Sequence, residues 1–374
     1  MIAGILKETA SENRVSILPE QVDVLRKMNV ETGVEESAGE RAFATDNAYI
    51  QKNAIIAERK KILQTSDILL SIHPLSHEDI LHVKPGVVLL GVYQPLFNYV
   101  LMQQWAQKQI TTFSIDIIPR TTRAQSMDVL SSQANIAGYK AVLLAASLYP
   151  KYFPMFMTAA GSIAPAKVLI LGAGVAGLQA VATARRLGAV VEVFDTRPAV
   201  KEEVMSLGAK FIEVTGAADV SGAAGYAVEQ TDEYRQKQQA KIAEAIAKSD
   251  VVITTAQIPG KKAPLLVTDD MIGSMKKGSV IIDLAAATGG NTSRTKDNDT
   301  VFYNGTTIVG NSNLASGMPY DASKLYGKNI LNFLQLIITK DGTLNIDFSD
   351  DLVKGCCITH AGEIVNERVK LLND

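Results

Sequence analysis

One short stretch, "KVLILGAGVAG" at residues 167–177, constrains the fold of this chain more than any other. Gly172, Gly174 and Gly177 directly follow an apolar run and open a helical pattern that ends near Gly188. In such a strand–turn–helix, the three glycines allow the tight turn, close approach of backbone to a pyrophosphate, and close packing of helix on strand. The first-turn N–H groups of the helix then face the phosphates. The spacing predicts a dinucleotide-binding unit.

The next strand, "VVEVFD", ends in Asp195, 18 residues beyond Gly177. A carboxylate at this position hydrogen-bonds the ribose hydroxyls of NAD(H) and repels the 2′-phosphate of NADP(H). Arg197 stands two residues further on and is able to accept that phosphate instead. We therefore expect NAD(H), bound by residues of the turn and of the strand end: Gly172, Ala173, Gly174, Val175, Ala176, Gly177, Asp195, Thr196 and Arg197.

Short runs of β-branched and apolar residues alternate with helical patterns along most of the chain, first over residues 1–118 and again from residue 167. This alternation is typical of parallel sheets covered by helices, and 374 residues are too many for one small core. We predict an α/β fold of two doubly wound, Rossmann-like domains with parallel sheets, joined by two helical crossings. Residues 1–136 and 321–374 would form a discontinuous first domain, and residues 137–320 the NAD(H)-binding domain.

Composition narrows the classes of function. The formal charge is −2 and no block of Lys or Arg dominates, which argues against a nucleic-acid partner. The cysteines, Cys356 and Cys357, are adjacent and too close for the usual disulfide geometry, so a reducing compartment fits best. The N-terminal residues show no basic start followed by a long apolar run, so we expect no secretory signal. The uncharged stretch Pro85–Gln107 is interrupted by Pro, Gly and amides, which predicts strand, turn and helix instead of a membrane span.

One segment breaks the alternation. Residues Thr215–Gln239, "TGAADVSGAAGYAVEQTDEYRQKQQ", are rich in Gly, Ala and polar residues and lack a strand-like core. A loop of this length in a compact domain is either a disordered linker or an active-site lid, and the sequence leaves both open.

Metal, hydrolytic and thiol chemistry have little support. None of the four histidines, His73, His77, His82 and His360, is spaced like a metal-binding pair on a helix, so we expect no metal. The chain also lacks G-x-S-x-G and C-x-x-C motifs. The chain has one dinucleotide fingerprint, so the group that exchanges hydride with the cofactor must be found elsewhere.

Five blocks carry a family resemblance: "RTTRAQSMDVLSSQANIAGYKA", "MTAAGSIAPAKVLILGAGVAGLQA", "FDTRPAVKEEVMSLGAKF", "TTAQIPGKKAPLLVTDDMI" and "GSVIIDLAAATGGN". They resemble the NAD(H)-binding component, domain I of the alpha subunit, of proton-translocating NAD(P) transhydrogenase. The resemblance implies that NAD(H) is held here and NADP(H) on a partner component. Hydride would pass directly between the two nicotinamides, coupled to proton translocation by a membrane-spanning component. It further implies a homodimer in the cytoplasm, peripheral on the inner face of the bacterial cell membrane through its partner subunits.

The resemblance also assigns individual roles. Arg120 and Asp128 would hold the carboxamide and ribose edge of the nicotinamide, Ser131 would add a hydrogen bond, and Gln125 would reach towards the NADP(H). The polar stretch Pro119–Tyr139 alternates like one helix, and its apolar members would seat it against a core: Met127, Val129, Leu130 and Ile136. Arg123 and Asn135 could be ligands or solvated residues. Tyr226 matches the tyrosine of a mobile loop that closes over NAD(H). The remaining cofactor contacts would come from residues after two strands, namely Ala256, Gln257, Leu284 and Ala285; Lys261 and Lys262 are expected to be solvated.

Two alternatives remain. Alanine dehydrogenases share the "ENRV" pattern with Arg14, but their lysine, histidine and aspartate are replaced here near Ser71, near Tyr93 and by Ala287. The groups that amino-acid oxidation needs are thus missing, whereas transfer between two nicotinamides requires only that the rings lie about 3–3.5 Å apart in the right orientation. A non-catalytic NAD-binding module is the other alternative.

Overall fold

The computed structural model describes residues 1–214 and 232–372. The chain divides into two compact units: Met1–Gln133 with Ser316–Asp374 form unit 1, and Ala134–Ala315 form unit 2. The predicted domain boundaries, after residues 136 and 320, lie a few residues further along the chain. The α/β class predicted from the alternating pattern is confirmed.

The first half of the chain alternates strands and helices as the apolar runs predict. In chain order its elements are β1 Ile2–Ile5, α1 Pro19–Lys27, β2 Glu31–Glu35, α2 Asp46–Ile50, β3 Ile55–Ala57, α3 Arg59–Thr65, β4 Ile68–Leu70, α4 His77–Ile80, β5 Val88–Gly91, α5 Tyr99–Gln107, β6 Thr111–Ser114 and α6 Val129–Leu148.

The later elements begin with a hairpin, and those from α11 onwards belong to unit 1. They are β7 Phe156–Thr158, β8 Gly161–Ile163, β9 Lys167–Leu171, α7 Val175–Arg186, β10 Val190–Phe194, α8 Lys201–Ser206, β11 Lys210–Phe211, α9 Asp232–Lys248, β12 Val251–Thr254, α10 Asp269–Gly273, β13 Val280–Asp283, β14 Asp299–Tyr303, β15 Thr306–Gly310, α11 Pro319–Ile337, α12 Asp351–Cys356, β16 Cys357–His360, β17 Glu363–Ile364 and α13 Glu367–Lys370.

Unit 1 contains an eight-stranded sheet in the order β17-β16-β6-β5-β4-β1-β2-β3 among the described residues. Strands β1 to β6 are parallel, and β16 and β17 add antiparallel pairs at one edge, which the prediction of purely parallel sheets did not include. The order reverses between β1 and β4, and ligands of open α/β sheets bind at such switch points. Helix α11 fills one face with Tyr326, Ile330, Phe333, Leu334 and Ile337.

Unit 2 has a seven-stranded sheet in the order β11-β10-β9-β12-β13-β15-β14 within the described ranges. All neighbouring pairs are parallel except β14 with β15. The strands β9, β12 and β13 are buried almost throughout, as continuous apolar runs such as "VVIT" require when helices cover both faces of a sheet. The switch of strand order lies between β9 and β12, beside the glycine-rich turn.

The structure differs from two predictions about helices and loops. The predicted loop Thr215–Gln239 overlaps helix α9, which begins at Asp232; residues 215–231 lie outside the described residues. Helix α9 contains no Gly or Pro, its Lys237 and Glu233 pair four residues apart at 2.6 Å, and Ile242 and Ile246 are buried. The polar composition of this segment led to the prediction of a loop where the structure has a surface helix.

The chain also returns to unit 1 earlier than predicted. The boundary at Ser316 falls inside a 3₁₀ helix at Leu314–Gly317, so α11 lies wholly in unit 1 and does not itself make the crossing. Met318 and Pro319 come next, and because proline fits the first turn of a helix, α11 starts only after the crossing. The first crossing does lie in a helix, α6.

The uncharged stretch Pro85–Gln107 contributes β5 and α5 with a loop between them, as expected. In the ranges that the structure describes, no helix combines the length and apolar character needed to cross a membrane. Cys356 and Cys357 are both buried free thiols.

Candidate functional site

The glycine-rich turn joins β9 to α7 as its spacing predicts. Gly172 has a φ of 107°, a conformation that favours glycine, and a Cβ there would overlap Oγ1 of Thr255. A Cβ on Gly177 would overlap the carbonyl oxygen of Gly172, so the helix starts in direct contact with the turn. Around Gly174, by contrast, a Cβ would meet no described atom within 4 Å beyond its chain neighbours. The turn therefore has the shape that close approach of a ligand to backbone requires.

Asp195 follows β10 and is tied to this turn. Its Oδ2 accepts the Ala173 N–H at 2.7 Å, which fixes the carboxylate beside the start of α7. Arg197 pairs with the same carboxylate, with 2.8 Å between Nη2 and Oδ2. The hydrogen bond to Asp195 raises the pKa of Arg197, although burial acts in the opposite direction. The structure thus brings together the turn, Asp195 and Arg197, with Thr196 between them in the chain.

The other predicted cofactor residues of unit 2 lie at the carboxyl ends of β12 and β13. Gln257 Nε2 donates to the carbonyl oxygen of Leu284 at 2.9 Å, which joins the two loops. Ala285 is fully buried, and its N–H donates to Oδ1 of Asp283 at 2.9 Å. Lys261 and Lys262 are exposed.

Two buried polar residues that the sequence interpretation missed, Asn291 and Asp283, hold these loops in place. Asn291 Oδ1 accepts the Ala256 N–H at 3.0 Å, while its Nδ2 donates to the carbonyl oxygens of Ala256 and Pro264, both at 2.9 Å. Asp283 Oδ2 accepts the Asn291 N–H and the Thr295 hydroxyl, both at 2.6 Å. The only signal in the sequence was an Asp at a strand end followed by "TGGN".

Gly138 is a second residue that was missed. It lies in the part of α6 that belongs to unit 2, and a Cβ there would overlap the carbonyl oxygen and Cα of Ala176. Helix α6 therefore packs directly on the first turn of α7, within the glycine-rich motif. Asn135 also contacts α7, since its Nδ2 donates to Gln179 Oε1 at 3.3 Å.

In unit 1, the polar stretch forms a 3₁₀ helix at Thr122–Met127 before α6 begins at Val129, where a continuous helical alternation was expected. Asp128 interrupts the two helices by capping α6: its Oδ1 accepts the Ser131 N–H at 2.9 Å and its Oδ2 accepts the Ser131 hydroxyl at 2.6 Å. Arg120 and Gln125 are exposed on the same segment. The structure brings Asp128 and Ser131 together, and the ligand roles of all four residues stay predictions.

The seating of this stretch is as expected for three of its four apolar residues. Met127, Val129 and Ile136 are buried, but Leu130 is 42% exposed, so the prediction for Leu130 was wrong. Because Asp128 ends the 3₁₀ helix, α6 starts in a new phase and its second residue points to solvent. Asn329 and Asn332 of α11 anchor the stretch through the Ser126 carbonyl oxygen, at 2.8 and 2.9 Å.

Arg123 takes part in a surface ion pair. Its guanidinium donates to both carboxylate oxygens of Asp350, at 2.6 and 2.7 Å, and also pairs with Asp351. The hydrogen bond from Arg123 lowers the pKa of Asp350. Arg123 thus anchors its segment to the N-terminus of α12 in this structure.

The three positions that distinguish this chain from the pattern of alanine dehydrogenases carry no exposed acid or base. Ser71 Oγ and Tyr93 OH lie 3.0 Å apart and both residues are buried. Burial raises the pKa of Tyr93 far above its ordinary value, so its phenol stays protonated. Ala287, the third position, has no titratable side chain.

A groove of about 620 Å³ lies in unit 1 where β1 and β4 end, and carboxylates line it. Each of the buried ones has donors within the unit. Glu8 accepts the Ile72 and His73 N–H groups, Glu35 accepts the Lys7 N–H, and Asp79 accepts Arg59. These carboxylates stabilise the ends of strands and the start of a helix.

Tyr226, the proposed lid residue, lies outside the described residues.

The chain matches two family models: "Alanine dehydrogenase/PNT, N-terminal domain" over residues 4–137 and "Alanine dehydrogenase/PNT, C-terminal domain" over residues 141–367. It is 43% identical over 370 residues to the first polypeptide of the NAD(P) transhydrogenase alpha subunit of Rickettsia prowazekii, covering 98% of this chain and 96% of that protein. The corresponding polypeptide of Rhodospirillum rubrum is 44% identical over 364 residues, with 95% of each chain covered. The chain belongs to the NAD(P) transhydrogenase alpha-subunit family.

Solved structures agree with this family. A transhydrogenase from Sinorhizobium meliloti superposes with a TM-score of 0.88 at 43% identity, covering 98% of this chain and all of that one. An L-alanine dehydrogenase superposes with a TM-score of 0.84 at 21% identity, which shows a shared fold alone. The alanine dehydrogenase of Staphylococcus saprophyticus is 25% identical over 349 residues, far below the transhydrogenase subunits. The resemblance drawn from the sequence motifs is therefore confirmed at the level of the family.

Proposed function

We propose that this chain is the NAD(H)-binding component of a proton-translocating transhydrogenase. It would hold NAD(H) on unit 2 and exchange hydride directly with NADP(H) held on a partner component. The observation that carries the proposal is the glycine-rich turn with its attached carboxylate: Asp195 Oδ2 lies 2.7 Å from the Ala173 N–H. This is the arrangement that receives a pyrophosphate at a helix N-terminus and a ribose at the next strand end.

Direct transfer between nicotinamides is consistent with two features of the chain: it lacks the acid/base groups of alanine dehydrogenases, and it has the residues expected to contact the nicotinamide. Hydride exchange moves no substrate proton, so catalysis consists of holding the rings in position. The buried Ser71–Tyr93 pair and Ala287 offer no exposed acid or base where amino-acid oxidation would need one. By the resemblance, Arg120, Gln125, Asp128 and Ser131 would contact the nicotinamide end, and Tyr226 would close over it.

A reconstituted assay tests this function. The chain is mixed with the NADP(H)-binding component of a transhydrogenase, NADPH, and an NAD analogue whose reduced form absorbs at a wavelength different from that of NADPH. We expect reduction of the analogue only when both proteins are present. NADH formation from NAD and L-alanine without the partner would instead make the chain an amino-acid dehydrogenase. Tight NADH binding with no transfer would make it a binding module.

The remaining partners follow from the family. We propose docking to a membrane-spanning component at the inner face of the bacterial cell membrane, with proton translocation through that component. We also propose a homodimer, supported by the hairpin of β7 and β8, whose strands pair only with each other among the described residues. Large apolar side chains in and beside the hairpin are exposed, including Met155 at 61% and Met157 at 72%. Residues 152–166 carry no charge, so identical copies would not repel each other there.

A further inference from the structure

The Asp195 carboxylate accepts four hydrogen bonds from within the chain. Its Oδ1 accepts the backbone N–H of Arg197 at 2.8 Å and the side-chain Nε–H of Arg197 at 2.9 Å. Its Oδ2 accepts the Ala173 N–H at 2.7 Å and the Arg197 Nη2–H at 2.8 Å. Each oxygen therefore has one backbone donor and one guanidinium donor.

An ionised carboxylate has about four lone-pair positions for hydrogen bonds. All of them are taken here, and the Asp195 side chain is only 7% exposed. Two further donors, such as a pair of ribose hydroxyls, have no vacant acceptor position on it. For Asp195 to receive a ribose, some of the present donors must leave.

Of these donors, those of the guanidinium are the ones that can leave. The Ala173 N–H belongs to the glycine-rich turn, which Gly172 and Gly177 hold by direct backbone contact. The Arg197 N–H is fixed by the chain, two residues from the carboxylate it binds. The Arg197 side chain, in contrast, is 20% exposed and has several rotatable bonds, so its guanidinium can move while the backbone stays in place.

We propose that Arg197 is a specificity-determining residue that competes with the ribose of NAD(H) for Asp195. In the free protein its planar guanidinium takes the two acceptor positions that a vicinal diol would use. NAD(H) must displace it, which weakens NAD(H) binding and favours release. The displaced guanidinium then lies near the ribose 2′ position, where it lowers the electrostatic penalty that Asp195 imposes on a 2′-phosphate. The inference rests on the proposed function, because it assumes that unit 2 binds NAD(H).

Arg197→Met removes the competitor and keeps an apolar stem of similar length. We expect its dissociation constant for NADH to be about tenfold lower than that of the wild type, equivalent to about 1.4 kcal/mol. Its dissociation constant for NADPH should rise, because the unshielded carboxylate repels the phosphate more strongly. Both constants are measured by nucleotide fluorescence titration of the full chain. Arg186→Met, a change to an exposed arginine of α7, is the matched control and should leave both constants unchanged.

Two further variants test separately the shape of the guanidinium and the charge of the carboxylate. Arg197→Lys keeps the charge but loses the planar fork, so its NADH affinity should lie between those of the wild type and Arg197→Met. Asp195→Asn removes the repulsion and should lose the preference for NADH over NADPH. If the methionine variant is unstable in thermal unfolding, Arg197→Gln carries the same expectation of tighter NADH binding.

The failure of this inference differs from the failure of the proposed function. Wild-type protein that binds NADH, with an Arg197→Met variant that binds it equally or more weakly, would overturn the competition and make Arg197 a direct ligand or a bystander. Wild-type protein that binds no NADH would overturn the proposed function itself.

Discussion

At the scale of single residues, unit 1 is organised around a buried ion pair. Glu12 is fully buried, and Arg14 donates to it through Nε at 2.8 Å and Nη2 at 2.6 Å, while His73 Nε2 lies 2.9 Å from its Oε2. Arg14 Nη1 also donates to Gln133 Oε1 at 2.8 Å, in the first turns of α6. Burial raises the pKa of Glu12, but the hydrogen bonds from Arg14 and His73 outweigh it and hold that pKa well below its usual range.

Glu12→Gln should destabilise the protein in a pH-dependent way. Near neutral pH we expect a loss of about 3 kcal/mol in the free energy of unfolding, because the buried Arg14 loses the charge of Glu12. A carboxylate with a lowered pKa stabilises the fold at pH values above its unfolded pKa, near 4.5, and loses that contribution as the pH falls towards its folded pKa. Urea unfolding of wild type and variant should thus show a difference that shrinks below about pH 4.5.

Glu31→Gln, at an exposed glutamate that opens β2, is the matched control and should change little at any pH. A Glu12→Gln variant with wild-type stability at neutral pH would show that the ion pair contributes nothing to the fold.

At the scale of elements, helix α6 contacts the start of α7, and the geometry of the glycine-rich turn therefore depends on a helix that is not part of the turn. Any side chain at Gly138 would overlap the backbone of Ala176, which belongs to the glycine-rich motif. Backbone atoms cannot rotate away as a side chain can, so α7 or α6 must shift. The position of the first turn of α7 therefore depends on a glycine 34 residues before Gly172 in the sequence.

Gly138→Ala should weaken dinucleotide binding and stability together. We expect the free energy of unfolding to fall by about 1–3 kcal/mol, the usual cost of overpacking, and the NADH affinity to drop with it. Gly273→Ala is the control, since a Cβ there meets, among the described residues, only Asn304 Nδ2, at 3.5 Å. Thermal unfolding and NADH titration measure both effects. Normal NADH affinity in Gly138→Ala would show that the turn does not depend on this contact.

Elements with a clear pattern of apolar residues were predictable from the sequence. Features that depend on contacts with residues distant in the sequence were not. The strands β9 and β10 and the turn between β9 and α7 follow from continuous apolar runs and three glycines. The start of α9 was missed because its first turns are polar in sequence, and the apolar residues that pack on the sheet, Ile242, Ala245 and Ile246, come only later in the helix. The roles of Asn291 and Asp283 could not be predicted, because their partners, mostly backbone groups, are brought near only by the folded sheet.

The local structure around the candidate site residues of unit 1 was predictable to a similar extent. The resemblance picked out the segment that carries Asp128 and Ser131, but spacing alone suggested one helix through Asp128. The side chain of Asp128 bonds to the backbone of Ser131 and so ends one helix and caps the next. Local side-chain bonds of this kind compete with helical alternation and shift the phase of the next helix, as the exposed Leu130 shows.

At the scale of the whole molecule, the hairpin of β7 and β8 predicts self-association. A two-stranded hairpin alone is marginally stable in water, and its exposed apolar side chains gain most from burial against a second copy. We expect the wild-type chain to be a dimer by light scattering, and the double variant Met157→Glu, Ile163→Glu to be a monomer. If the double variant is still a dimer, the dimer interface does not lie at this hairpin. Wild-type binding to lipid vesicles without dimerisation would assign the hairpin to a membrane surface.

The division of the chain has a consequence for the order in which the protein is made. Unit 2 is one unbroken segment, Ala134–Ala315, and can fold once that segment has left the ribosome. Unit 1 is split, and its core lacks Tyr326, Ile330 and Phe333 until α11 is synthesised. During synthesis the first 133 residues must wait with one face of their sheet only partly covered, while unit 2 forms behind them. The unit that begins first is completed last.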